Sequence, residues 1–407
     1  LTGADISCHL RDVGKSTQAM TETEACIALN MVPRMGPVRL RKLLEVFGDP
    51  ASILRAPMDR LAGVSGVGPE LARLISSWEE HVDLMAELAL IAEAGVQVLT
   101  AAAENYPALL RTIHDPPIVL YVRGELKAID ARAIGVVGSR QTTYYGLETA
   151  KKLSYQLAYA GLTIFSGLAR GIDTAAHQGA LAAKGRTVAV LGCGLGQVYP
   201  PENFELAEKI AAGAGAVISE FAMSVRPDRQ TFPMRNRIIS GCSLGLLVIE
   251  AGVHSGALIS AAQAGEQGRS VFAVPGPIDR PSSYGTNRLI QQGAKLVMDS
   301  SDILEELAEL PGFGPLPRRE PETEAEAVKP GPRDEKTGAA AGQQLLLLKS
   351  AEEAILAAVE RDETPIDRII LKCGLPTSVV SSTLFALELK KLVKQLPGKN
   401  YVRLAWS

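Results

Sequence analysis

Cysteine is scarce: the 407-residue sequence holds five, and no two stand in a CxxC spacing. Cys8, Cys26, Cys193, Cys242 and Cys373 fall in different expected elements. This argues against a disulfide framework and a zinc-ligand set, and it fits a reducing cytoplasm. The first residues, LTGADISCHLRDVGKS, contain no apolar run of signal-peptide length, and the absence of a leading Met suggests an alternative start codon or a trimmed chain. A long hydrophobic run is also missing. Between Ile238 and Gly265 the only formal charge is Glu250, but glycines divide this stretch into a strand-like LGLLVIE and a helical GALISAAQAGEQ. A spanning helix wants about 20 consecutive apolar residues. No membrane partner is therefore expected. Charge of one sign is not in excess either. A formal net charge of -3 leaves no global basic signature, so any nucleic-acid site must be a local patch.

What is present suffices for several packed domains: 46% of residues are hydrophobic and 21% charged. Residues 1–20 read as a tail. Residues 21–104 read as an all-α domain of short helices joined by glycine turns. From 105 to 310, after a connector at 105–130, strands alternate with helices. The strands are AIGVV, LTIFS, TVAVLG, AVISE, LGLLVIE, VFAV and KLVMD, as expected of a parallel sheet covered on both faces. Residues 311–349 form the expected linker, with six of the 24 prolines in 311–343. Residues 350–407 read as three helical runs and a hairpin, the order of a winged helix. The fold class is thus α/β: a Rossmann-like, mostly parallel sheet core, an N-terminal SAM-like or helix-hairpin-helix domain, and a C-terminal winged helix.

Four segments follow strands of the expected sheet, and post-strand loops share one edge, where α/β sheets bind ligands. They are Gly138-Ser139-Arg140, Ser166-Gly167-Leu168-Ala169-Arg170-Gly171, Phe232-Pro233-Met234-Arg235-Asn236-Arg237 and His254-Ser255-Gly256. Glycines admit a ligand to the backbone, Ser139 and Ser255 offer hydroxyls, and helix N-termini offer N–H groups. Arg226, Arg229, Arg235 and Arg237 lie within 12 residues that hold one acid, Asp228. Guanidinium groups fit phosphate oxygens in a bidentate manner. Phe232 and Tyr144 are candidates for base stacking. Plainer roles compete: a local carboxylate partner for Arg237, capping and packing for Asp173 and His177, simple turns for the glycines. In the all-α region, Val64-Ser65-Gly66-Val67-Gly68-Pro69 and Val32-Pro33-Arg34-Met35-Gly36-Pro37 have the form of helix-hairpin-helix turns. Such turns can meet a phosphate or serve only packing.

Two motifs fail on context. Gly192-Cys193-Gly194-Leu195-Gly196 resembles a dinucleotide loop, but Gln197 stands where GxGxxG needs its last glycine. Gly241-Cys242-Ser243-Leu244-Gly245 matches the nucleophile elbow GxSxG, but with helix before strand rather than strand before helix. No catalytic pair, cofactor loop or metal-ligand cluster remains, so no cofactor is expected.

Together, VGSR, SGLARGIDTAAH, AVLGCGL…YPPEN, FPMRNRIISG, EAGVHSGALISAAQA and GRSVFAVPG…GTNRLIQQGA resemble the DNA-processing protein A (DprA/Smf) family, almost continuously from Asn105 to Met298. The resemblance implies a non-enzymatic single-stranded DNA binder that protects incoming DNA and loads the RecA recombinase during natural transformation, as a homodimer through the Rossmann-like domain. It carries DNA contact to Ser139, Arg140, Ser166, Gly167, Arg170, Gly171, Arg235, Asn236, Ser255 and Gly256; Phe232 and Arg237 join them on residue type. A lysine common in family pockets has no assignable position here. Two other functions compete. A nucleoside-monophosphate phosphoribohydrolase needs a PGGxGT-type loop and a following Glu, whereas Val274-Pro275-Gly276-Pro277 is separated from Gly285-Thr286-Asn287 and no such Glu follows. A duplex regulator would act through the winged helix, but residues 351–407 hold eight Lys/Arg against seven Asp/Glu, a weak footprint.

Overall fold

The computed structural model describes residues 20–310, 313–314, 351–360, 363–390, 392–396 and 398–404. The helical N-terminal region and the α/β sheet belong to one compact unit, and the C-terminal region belongs to a second. The tail at 1–20 and the linker at 311–349 lie outside the described residues, except for Met20, Phe313 and Gly314.

The N-terminal helices start where their sequence says they should. Thr21 and Glu24 form a capping box at Glu22–Met31. Prolines open Pro37–Phe47, Pro50–Arg55 and Pro69–Ser76, where a missing N–H costs nothing. Leu29, Leu43, Ile53, Leu61 and Ile75 are fully buried among them. Both helix-hairpin-helix turns are present, with Gly66 at φ +88° between Met58–Ala62 and Pro69–Ser76.

The sheet has nine strands: β1 (Gln97–Thr100), β2 (Val119–Gly124), β3 (Ala133–Val137), β4 (Thr163–Ser166), β5 (Thr187–Val190), β6 (Gly215–Ser219), β7 (Gly245–Val248), β8 (Ser270–Ala273) and β9 (Lys295–Leu296). Their order is β1-β2-β6-β5-β4-β3-β7-β8-β9. Pairing is parallel from β6 through to β9, and antiparallel for β2 on β6 and β1 on β2. Every residue of β3 to β7 is buried, because both faces are covered. Alternate residues supply the two cores. Val188, Val190 and Ile218 pack with Ile238, Ile239 and Ala261 on one face. Ala189, Leu191 and Val217 join Val119, Tyr121 and the N-terminal helices on the other. At about 1.5–3 kcal/mol per buried aliphatic side chain, this shared core binds the helical module firmly to the sheet. Asn30 donates to the Glu220 carbonyl (2.9 Å), and the Met223 N–H donates to buried Glu87 (2.8 Å).

Two strands depart from expectation. The boundary placed at 104 falls beyond β1, which is the edge of the sheet, and the supposed connector at 105–130 contains β2. β1 has only four residues and a weak local signal, whereas β2 is the apolar, β-branched and aromatic run Val119-Leu120-Tyr121-Val122, which the connector reading passed over. The charge-poor stretch Ile238–Gly265 divides as expected into the end of helix Thr231–Gly241, β7 and helix Gly256–Glu266.

In the C-terminal unit, β10 (Thr364–Pro365), β11 (Val393–Leu396) and β12 (Asn400–Arg403) pair in the order β10-β12-β11. Helices at 351–358, Ile366–Cys373 and Thr377–Leu389 cover them around Ile355, Ile369, Val380, Leu384 and Tyr401. This is a winged helix. No single helix among the described residues is long and apolar enough to cross a membrane.

Candidate nucleic-acid interface

The chain builds β3 to β6 outward in one direction, then returns to place β7 beside β3. That reversal is a topological switch point, where the loops after β3 and β7 part and open a crevice. The Ser139 N–H donates to the Glu250 carbonyl (2.7 Å) and ties the two loops together at its base. Above it lies a cavity of about 720 Å³. Gly138, Ser139 and Arg140 line it from β3, Asp173 from the β4 side, Phe232, Arg235 and Asn236 from helix Thr231–Gly241, and His254, Ser255 and Gly256 from β7. All four predicted segments therefore contribute to one pocket or its immediate wall.

Backbone shape makes this convergence possible. A Cβ on Gly138 would sit 2.5 Å from Ile172, and one on Gly171 (φ +80°) 2.5 Å from the Ser139 carbonyl. The loops after β3 and β4 thus approach each other as only glycine allows. Asp173 locks the second loop by accepting the N–H groups of Gly167 (3.1 Å) and Ala169 (3.4 Å). Ser255 caps helix Gly256–Glu266, accepting from Ala257 N (3.3 Å), so the positive end of that helix faces the cavity.

The family model for DNA recombination-mediator protein A matches residues 97–308, β1 to the end of the sheet domain. A DprA winged helix domain matches 339–399, and a SAM-like helix-hairpin-helix tandem matches 27–77. Protein Smf of Synechocystis sp. is 35% identical over 404 residues, 95% of this chain and all of that protein. The DNA processing protein DprA of Bacillus subtilis is 40% identical over 293 residues, 71% of this chain and 97% of that one. The X-ray structure of DprA from Streptococcus pneumoniae superposes with a TM-score of 0.62 at 34% identity, covering 70% of this chain and 98% of that one. The chain belongs to the DNA-processing protein A (DprA/Smf) family.

Within this DprA/Smf domain the expected site residues divide sharply. Arg235 is 3% exposed, yet its Nε and Nη1 have no hydrogen-bond partner among the described residues. Its guanidinium lies over Gly167, where a Cβ would fall 1.4 Å from Nη1. Burial presses against its charged form, and Asp173 opposes that pressure. The Asp173 carboxyl is pushed up by burial and pulled back by Arg235. Arg140 is exposed, makes no ion pair among the described residues, and rests its guanidinium 4.6 Å from the Phe232 ring centroid. Asn236 lines the cavity; Ser139 lines it too, but its hydroxyl is engaged with Gln141, donating to the carbonyl (2.6 Å) and accepting from the N–H (3.1 Å).

Gly167 and Gly171 shape the neighbouring loop without lining the cavity, and four side chains are placed elsewhere. Arg237 donates Nε to Asp115 (2.8 Å) and Nη2 to Glu220 (2.6 Å), with its side chain 7% exposed. The local carboxylate, left open by sequence, has claimed it, because residues two apart on a helix face different ways. Ser166 is fully buried and donates to the Val136 carbonyl (2.7 Å), so its hydroxyl braces β4 against β3. Arg170 is exposed, paired with Glu202, and lies outside the main cavity, against Tyr199. Tyr144 does not line the cavity.

His177 is structural, as its helix position suggested. The Thr187 hydroxyl donates to the Ile164 carbonyl, so His177 Nδ1–H donates to Thr187 Oγ1 (2.6 Å), and burial drives the imidazole down to about 3. Ser243 donates to the Ile239 carbonyl (2.8 Å) and is fully buried, which closes the GxSxG question. No group of three His, Cys, Asp or Glu among the described residues could hold a metal ion. Arg229 lines this cavity. Tyr199 was not among the expected site residues, and Gly192, from the rejected dinucleotide motif, packs against Phe232, where a Cβ would lie 2.8 Å from the ring.

Proposed function

We propose that this cavity binds the sugar–phosphate backbone of single-stranded DNA, and that the protein is a recombination mediator that shields the strand and delivers it to the RecA recombinase without chemistry on it. The observation that carries this reading is Arg235. A buried guanidinium with two unpaired nitrogens costs roughly 1–3 kcal/mol for each unsatisfied group, and an anion entering the cavity relieves that cost. Arg140, Arg229 and the N-terminus of Gly256–Glu266 face the same space, against one buried carboxylate, Asp173. Phosphate recognition of this kind ignores base identity. The family's description as a recombination mediator supports mediation, and the pinned Asp173, held by two N–H groups, supports binding over catalysis. A homodimer through the α/β domain fits the edge strand β9, where Leu296 and Met298 stand exposed.

The test is a titration of single- and double-stranded oligonucleotides of equal length across salt concentrations. The single strand should bind more tightly, with log affinity falling by about 0.7 per log salt for each phosphate held. Equal affinity for the duplex would overturn the reading.

A further inference from the structure

Two helices bring anion-binding groups to the cavity. Helix Thr231–Gly241 carries Arg235 and Asn236, and helix Gly256–Glu266 presents its capped N-terminus. The apolar part of their contact places Ile238 and Ile239 in one core with Ala257, Ala261 and Ala264. Methyl side chains make shallow ridges, so this packing alone fixes the axial register of the helices only loosely. Polar side chains fix it instead. Gln263 donates its amide to the Pro233 carbonyl (3.3 Å), and Gln267, the C-cap of the same helix, donates to the Arg237 carbonyl (3.1 Å). Each reaches a carbonyl 30 residues back in the chain, so the two bonds are rungs of one ladder between helices that run the same way. Arg269 adds a third rung, from Nη2 to the Gly241 carbonyl (3.4 Å). Carbonyls on three successive turns of the pocket helix are thereby engaged.

We infer that Gln263 and Gln267 are positioning residues of the anion site: they set the axial register of the pocket helix, and with it the separation between the Arg235 guanidinium and the N-terminus of Gly256–Glu266. The inference rests on the strand-binding reading above and names what keeps its two anion-binding groups in step. Neither glutamine lines the cavity, so neither touches the strand; both act through the helix that bears Arg235. Fold stability does not account for them. The Oε1 of each is buried and has no hydrogen-bond partner among the described residues. An unsatisfied buried acceptor costs as much as one amide hydrogen bond contributes, or more, so a methionine of similar length would pack there without loss. What the amides add is direction. A hydrogen bond forms at one axial setting of the helices, whereas a flexible thioether packs at many. Slippage by one residue's rise, about 1.5 Å, degrades the length or angle of any bonds that one phosphate makes to both helices.

The experiment places Gln263→Met with Gln267→Met in the full-length protein, in the wild-type and the Arg235→Ala backgrounds. Denaturant melts read stability, and titration with a thymidine oligonucleotide at one low salt concentration reads affinity. The methionine pair should leave the denaturant midpoint unchanged or raise it, with the same slope, and should weaken single-strand binding by about 3–30-fold. In the Arg235→Ala background the same pair should cost less than about twofold, because the group it positions is gone. A lowered midpoint would make the glutamines plain structural contacts. Unchanged affinity, or an equal loss in both backgrounds, would show that they do not act through Arg235. Each of these results overturns the inference and leaves the strand-binding reading intact. Failure of the wild-type protein to bind the oligonucleotide overturns that reading and the positioning role with it.

Discussion

Arg235 and Arg237 stand two residues apart on one helix, and replacing each by alanine should damage different properties. Arg237 is a buried ion pair with Glu220, reinforced by Asp115. Removing one partner of such a pair strands a buried charge and costs about 3–5 kcal/mol. Arg235 has no such pair among the described residues. Its truncation forfeits two methylenes at about 0.8 kcal/mol each and the attraction of buried Asp173, but removes two unsatisfied nitrogens whose burial costs about 1–3 kcal/mol apiece. These terms oppose one another, so Arg235→Ala should stay within about 2 kcal/mol of wild-type stability. Its loss appears in binding: a charge-assisted hydrogen bond of about 1.5–3 kcal/mol, or roughly 10–150-fold in affinity. The salt slope should flatten by about 0.7. Denaturant melts and single-strand titrations on the same samples separate the two variants. An Arg235→Ala protein that unfolds like Arg237→Ala and still binds DNA normally would refute the assignment of roles.

Arg140→Ala should weaken single-strand binding by about 1.5–3 kcal/mol, while its exposed cation–π contact with Phe232 contributes only about 0.5–1 kcal/mol to folding; melting and titration together check this, and normal binding with a large stability loss would make Arg140 structural. His177 titrates near 3 when folded and near 6.5 when unfolded, so its contribution is intact above pH 6.5 and is lost progressively as pH falls toward 3. Acid unfolding of His177→Asn should therefore lack a component of up to about 1.4 kcal/mol per pH unit across that window, and a wild-type slope in the variant would show that the imidazole charges within the fold. The wild-type chain should be dimeric by light scattering at tens of micromolar and Met298→Asp with Leu296→Asp on the exposed sheet edge should make it a monomer; a monomeric wild-type chain would sink the dimer.

Much of the fold was legible because its signals are local. The buried strands AIGVV, TVAVLG and LGLLVIE are apolar runs of strand length, and capping boxes and prolines mark helix starts within a few residues. β1, β2 and β10 escaped: β1 and β10 are short and become strands by pairing with β2 and β12, and the β2 run was taken for a connector. Chain order also placed the four glycine- and arginine-bearing loops on one sheet edge, because in a parallel sheet every post-strand loop exits on the same side.

Within those loops the sequence determined which residues arrive, and tertiary structure decided what each one faces. Arg235 and Arg237 have the same chemistry and the same neighbourhood in sequence. One meets Glu220, 17 residues away, and Asp115, 122 away; the other meets the bare backbone of Gly167. Ser139 follows β3 and Ser166 ends β4, yet one lines the cavity and the other is spent inside the sheet. Tyr199 carried no signal of its own because its partners, Phe232 and Arg170, lie about 30 residues to either side and meet it only when β4, β5 and β6 are laid side by side. A charged or aromatic side chain is silent about its partner along the chain, since the low-dielectric contact that defines its role forms only on folding.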